Sequence, residues 1–151
     1  MKVKVTGIQE TKAYIKERAE RMAKEYLSEL DKLAMDVVTA IRTSEVSFWN
    51  DVTGNLRSSI GYKIVRDGET MFENFQICNG GGAEGMQKAK SYAQELASKY
   101  HKGVVVVIVA GMEYASYVED VESRVVLKGG ELLAENKLQK LDAKWKSMIG
   151  K

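Results

Sequence analysis

Over residues 8–44 the apolar side chains of this chain fall at helical spacing for far longer than a small domain accommodates. Ile15, Ala19, Met22, Tyr26, Leu30, Leu33, Val37 and Ile41 step by threes and fours, and Ala23, Leu27, Ala34 and Val38 widen the stripe. A helix of roughly 35 residues is about 50 Å long at ~1.5 Å per residue, against the ~30 Å diameter of a compact domain. Two outcomes follow. The helix bends or breaks and packs entirely on its own sheet, or one end projects and finds a partner. Thr6 and Gln9 are spaced as a capping box at its start, and a short alternating strand over residues 2–6 precedes it. Glu17 before Arg21 and Glu20 before Lys24 supply favourable pairs one turn apart.

The stretch Trp49-Asn-Asp-Val-Thr-Gly-Asn-Leu-Arg-Ser-Ser-Ile60 must turn the chain out of that helix and into strands. Thr53 offers a capping hydroxyl and Gly54 a residue free to adopt positive φ, while Leu56 and Ile60, four apart, seat one apolar turn with Arg57 pointing outward. Residues 59–66 then alternate as a strand, with Ile60, Tyr62 and Ile64 on one face. Asp67-Gly68-Glu69 is a turn signal, and residues 71–78 form a second strand, hairpin-paired with the first. A glycine loop over residues 79–85 leads to a helix marked by Met86, Ala89, Ala93, Leu96 and Tyr100. Val104–Ala110 is a continuous β-branched run, which predicts a central strand covered on both faces. Residues 123–127 read as an edge strand, and Ala134, Leu138, Leu141, Trp145 and Met148 mark a final amphipathic helix. The expectation is a single α+β domain over residues 1–151. A long N-terminal helix and a C-terminal helix of about residues 130–149 pack on a small, mostly antiparallel sheet carrying the inserted glycine loop and helix.

Bulk composition narrows the function. Among the 151 residues, 23 basic and 21 acidic side chains give a net charge of only +2, so gripping nucleic acid by charge is not expected. Cys78 is the only cysteine, which excludes an internal disulfide and a cysteine metal cluster within one chain. The first residues lack an apolar signal core and no apolar run approaches the ~20 residues that span a bilayer, so the expected home is cytoplasmic with no membrane partner.

Candidate chemistry centres on Gly80-Gly81-Gly82-Ala83-Glu84-Gly85, which satisfies the dinucleotide pattern Gly-x-Gly-x-x-Gly between a strand and a helix. Glu113 lies just past the next strand, where a ribose-binding acid would sit. Against this, Glu73, Asn74 and Gln76 interrupt a strand that should be apolar throughout, and too little chain follows to complete the fold. A mobile loop is the commoner use of four glycines. His101, the only histidine, reads as a solvated residue at a helix end, and Cys78 as a buried bystander. No catalytic set, cofactor site or metal site is expected.

Two motifs, Asp51-Val-Thr-Gly-Asn-Leu-Arg-Ser-Ser-Ile60 after the long helix and Tyr114-Ala-Ser-Tyr-Val-Glu119 after the late apolar strand, occur in the order seen in a known group. With the N-terminal Val-x-Val strand and Gly7-Ile8 before the helix, the chain resembles the head–tail joining, or tail-completion, proteins of long-tailed double-stranded DNA phages and prophages. It departs from them in having Asp120-Val-Glu-Ser where a glycine-bearing segment usually follows the Val-Glu pair. The resemblance implies a structural protein without an active site. Such a subunit would assemble as a ring at the virion neck, bind copies of itself and neighbouring neck or tail proteins, and hold no cofactor. It also implies Thr53, Gly54, Leu56, Arg57, Tyr114, Tyr117 and Glu119 as the motif residues that serve assembly. The alternatives are a small nucleotide-binding enzyme built on the Gly80–Gly85 loop and a generic cytoplasmic adaptor.

Overall fold

The structure, a computed structural model, describes residues 6–43, 54–78, 80–111 and 127–150. The long periodic stretch is one uninterrupted helix, α1 (Ile8–Arg42). Its expected capping box does not form. Gly7, in the left-handed region at φ 85°, is the N-cap, no side chain caps the helix, and the Thr11 hydroxyl instead donates to the Gly7 carbonyl at 2.8 Å. A glycine reverses the chain there without the steric cost a Cβ brings. Glu17 and Arg21 pair at 3.0 Å, whereas Glu20 turns to Arg66.

After the described residues resume, one short turn, α2 (Asn55–Ser58), leads directly into β1 (Ile60–Arg66). Asp67 and Gly68 both take positive φ, 52° and 88°, the geometry of a two-residue hairpin turn whose twist matches the strands it joins. β2 (Glu69–Asn74) therefore begins two residues earlier than the alternation indicates, and it stops at Asn74 instead of running to Cys78. Beyond Asn74 the chain packs across the sheet instead of extending it. A Cβ at Gly61 would lie 2.3 Å from the Phe75 ring, so this glycine in β1 leaves room for that side chain. Helix α3 (Ala83–Ala97), strand β3 (Val104–Ala110) and helix α4 (Lys128–Ile149) follow.

Both neighbours of β1 are antiparallel to it, and the sheet order is β2-β1-β3. The central strand is thus β1, not β3 as its apolar run predicts; β3 is an edge among the described strands. The physical reason is visible in β1's alternation. Ile60, Tyr62 and Ile64 face α1 and α4, while Val65 joins Val107, Val109 and the alanines of α3 on the other face. A strand with both faces covered need not be uniformly apolar, because Lys63 is tolerated there by an ion pair to Glu73 at 2.7 Å.

Helices α1 and α4 run antiparallel on one face of the sheet. Gly130 lies against Ile41, Lys137 reaches Asp36 at 3.0 Å, and Trp145 stacks edge-on against Tyr26 at 5.5 Å. Helix α3 covers the other face through Ala89, Ala93 and Ala97, a row of small residues one turn apart that lets its backbone approach the strands closely.

Candidate functional site

The first motif and the glycine loop form one packed junction. Gly54, at φ 76°, is the N-cap of α2, and Leu56 and Ile60 are both buried in the main core, as their four-residue spacing predicts. Arg57 is half-buried. From α2, the Ser58 hydroxyl accepts from the Cys78 backbone N–H at 2.8 Å and donates to the Gly81 carbonyl at 3.2 Å, gripping both ends of the turn that leads to α3. The Asn55 side-chain oxygen accepts from the Gly85 N–H at 3.3 Å, so one of the orphan donors at the start of α3 is capped from another helix. The contact is close. A Cβ on Gly85 would fall 2.1 Å from the Asn55 carbonyl oxygen, and one on Gly82 would fall 2.2 Å from the Ser58 hydroxyl.

This geometry accounts for Gly82 and Gly85 through their packing on α2. In a dinucleotide site the backbone faces of such glycines approach a pyrophosphate at the helix N-terminus; here Gly82 and Gly85 turn those faces to α2. The strand arrangement also differs from that fold, because β2 and β3, before and after α3, are separated by β1. Cys78 is half-buried and bridges to Gly81, and His101 is exposed.

The second motif begins three residues beyond Gly111, whose N–H donates to the Ser59 carbonyl at 2.9 Å. Gly111 is also tight against α3: a Cβ there would meet the Ala89 backbone at 2.4 Å. The chain thus leaves β3 pinned to the end of the first motif. Of the sequence-predicted site residues, Gly54, Leu56 and Arg57 sit together in the junction. Thr53, Tyr114, Tyr117 and Glu119 lie outside the described residues, as do Glu113, Trp49 and the strands expected over residues 2–6 and 123–127, apart from Thr6 and Leu127.

Sequence reasoning missed two buried cations. Arg42, in the last turn of α1, is 7 % exposed and donates from Nε and Nη2 to the Ile60 carbonyl at 3.0 and 2.6 Å and from Nη1 to Asn74 Oδ1 at 3.2 Å. Burial pulls its pKa below the ordinary arginine value. It ties the end of the long helix to the first residue of β1. Lys63 is 5 % exposed, and its partner Glu73, also bound by Lys90 at 2.8 Å, is held below the usual carboxylate range chiefly by the Lys63 hydrogen bond. Neither residue carries a pattern that separates it from a surface cation.

The described residues leave two apolar surfaces open. Residues 8–21 of α1 are exposed throughout, including Ile8, Tyr14 and Ile15, the last 60 % accessible. At 100° per residue Ile8, Ile15, Ala19 and Met22 continue the row of Tyr26, Leu33 and Val37 that packs within the domain, so the apolar stripe runs out into solvent. Helix α4, which covers that row lower down, ends with Met148 and Ile149 both exposed. The second surface is a groove of about 410 Å³ between α1, β3 and α4, lined by Leu30, Leu33, Val106, Ile108, Ala134 and Leu138 among others. Among the described residues its charged lining residues are Glu131 and Glu135.

Among the described residues no helix is long and apolar enough to cross a membrane. Comparison with curated proteins and with solved structures gives no match. A family model described as "Bacteriophage HK97-gp10, putative tail-component" matches residues 8–120, a span that includes α1, the junction, the whole sheet and both motifs. With most of its length inside that match, the chain belongs to the HK97-gp10-like family of phage tail components.

Proposed function

We propose that the protein is a structural subunit of the head–tail neck of a phage or prophage, acting by assembly into a ring and not by catalysis. The observation that carries this reading is the projecting end of α1. Fourteen residues of an amphipathic helix (8 through 21) keep their apolar stripe in water, where burying it on a neighbour gains ~25 cal/mol per Å². A ring contact is heterologous, so two different surfaces of one subunit must meet and close by rotation. The balanced charge suits a component that DNA passes without being gripped. Its partners are then copies of itself and adjacent neck or tail proteins, in the host cytoplasm during assembly and in the virion afterwards.

Within that function the two motifs serve assembly, through Thr53, Gly54, Leu56 and Arg57 in the first and Tyr114, Tyr117 and Glu119 in the second. Arg57→Ala and Glu119→Ala are expected to impair folding or particle assembly; if both leave them intact, this assignment of roles fails. The wider reading is tested by native mass spectrometry of the purified protein over a concentration series. A closed oligomer free of added mass is expected, whereas a bound mass matching a dinucleotide overturns the structural reading.

A further inference from the structure

We infer that the projecting end of α1 docks into the α1–β3–α4 groove of a second copy of this chain. The inference rests on the self-assembly reading above and names the two surfaces that meet. Both are apolar, both are open among the described residues, and they lie on different parts of the molecule, as a head-to-tail contact requires.

Charge selects this occupant. On the helical wheel Lys12 and Lys16 run along one edge of the Ile8–Ile15–Ala19–Met22 stripe and Arg18 along the other, while Glu10 and Glu17 fall on the opposite side. The stripe is thus an apolar ridge with basic borders. The groove is the complement, an apolar floor from three elements whose charged lining residues, Glu131 and Glu135, are both acidic and exposed. An antiparallel pair of projecting α1 ends would instead set the basic borders of both copies against each other, which disfavours a simple two-fold helix pair. A small-molecule occupant is also poorly served. The volume falls in the usual range of ~300–1,000 Å³, but the polar side chains among the described lining residues, Glu131 and Glu135, both come from one helix and supply no donor to orient such a ligand. Large side chains repeating every seven residues, as Ile8, Ile15 and Met22 do, suit a helix laid along a groove.

The groove's acidic border lies on α4, beyond the residues that match the family.

Charge exchange tests it, read by sedimentation and native mass spectrometry. Glu131→Lys with Glu135→Lys, or Lys12→Glu with Lys16→Glu, is expected to raise the concentration for half-assembly about tenfold or more, and the fourfold variant to return it to within about threefold of the parent. All four side chains are exposed and folding should survive, which circular dichroism verifies. In a Cys78→Ser background, Ile15→Cys combined with Leu138→Cys is expected to form a disulfide between subunits. An oligomer indifferent to every charge change and lacking that cross-link overturns the docking while leaving self-assembly standing. A parent protein that stays monomeric across the whole concentration series overturns both.

Discussion

Gly82 and Gly80 stand two residues apart in the same loop and face opposite demands. Gly82 has φ 96° and the Ser58 hydroxyl and Gly54 carbonyl at 2.2 and 2.4 Å from an added Cβ, whereas Gly80 has φ 69° with nothing within 4 Å. Gly82→Ala is expected to cost about 3 kcal/mol or more, from backbone strain plus the clash with α2, and Gly80→Ala about 1 kcal/mol from strain alone. Urea denaturation of the two variants checks the order; equal costs would mean that the junction is not packed as described. A second expectation at this scale concerns Lys63 and Glu73. Glu73 has a depressed pKa, so its contribution is fully present above the ordinary carboxylate value of 4.5 and is lost as pH falls through the lower folded value. Glu73→Gln should cost about 1–3 kcal/mol at pH 7, less than for a fully buried pair because Glu73 is 31 % exposed, and the loss should shrink toward zero in acid. Thermal unfolding of parent and variant from pH 7 to 3 measures it, and parallel curves at all pH values would refute the pairing. Gly54, Leu56 and Ile60 were legible in the sequence because spacing and positive φ each leave a signature. Arg42 and Lys63 were not, since burial of a cation is decided by partners that lie 18 and 10 residues away.

Among the elements, periodicity located α1, α3 and α4 and the faces of β1, because apolar repeats of 3.6 and 2 survive in any context. Order within the sheet was not readable. A run of valines marks β3 as strand, but nothing local says whether it lies inside the sheet or at an edge, and the central place went to β1 through pairing with two distant segments. The partnership of α1 with α4 was equally hidden, although each apolar stripe was plain. Its contacts are specific. Tyr26 donates to Asp142 at 3.0 Å, and Trp145 meets the Tyr26 ring and donates to Glu29 at 3.3 Å. Burial, with the Asp142 hydrogen bond, pushes the Tyr26 phenol up to about 12. A raised pKa means that the neutral form is favoured in the fold, so this contribution is complete below the ordinary value of 10 and is lost as pH rises through the folded value. The melting temperature is expected to hold to about pH 10 and then fall, with a shallower fall in Tyr26→Phe, which should also cost about 1 kcal/mol at neutral pH. Should the variant and parent fall with the same slope, Tyr26 does not titrate in the α1–α4 contact.

For the whole molecule, the length of α1 was the most informative reading and also left a choice, because a 35-residue period does not say whether the helix breaks or projects. It projects, and the consequence is a helix in two energetic regimes. Residues 27–42 are locked by the sheet and α4, with Leu27, Leu30, Ala34, Val37, Val38 and Ile41 all buried. Residues 8–21 are exposed throughout, held to the rest of the fold only by the Glu20–Arg66 ion pair at the inner end among the described contacts. A free helix of that length is marginal in water, since it is shorter than or near the ~12–15 residues at which isolated helices become populated, and it persists here because the locked part supplies its nucleus. Hydrogen exchange of the monomer should therefore show amides 12–21 opening at least about a hundredfold faster than amides 30–42, with the gradient falling along one continuous helix. Assembly places a neighbour on Ile8, Ile15 and Met22 and removes that freedom, so the same amides should gain protection in the oligomer while those of residues 30–42 change little. Uniform protection along α1 in the monomer would mean that the projecting end is already covered within one chain, and its apolar stripe would then no longer argue for a partner. Fast exchange that persists in the oligomer would locate the subunit contact elsewhere on the molecule.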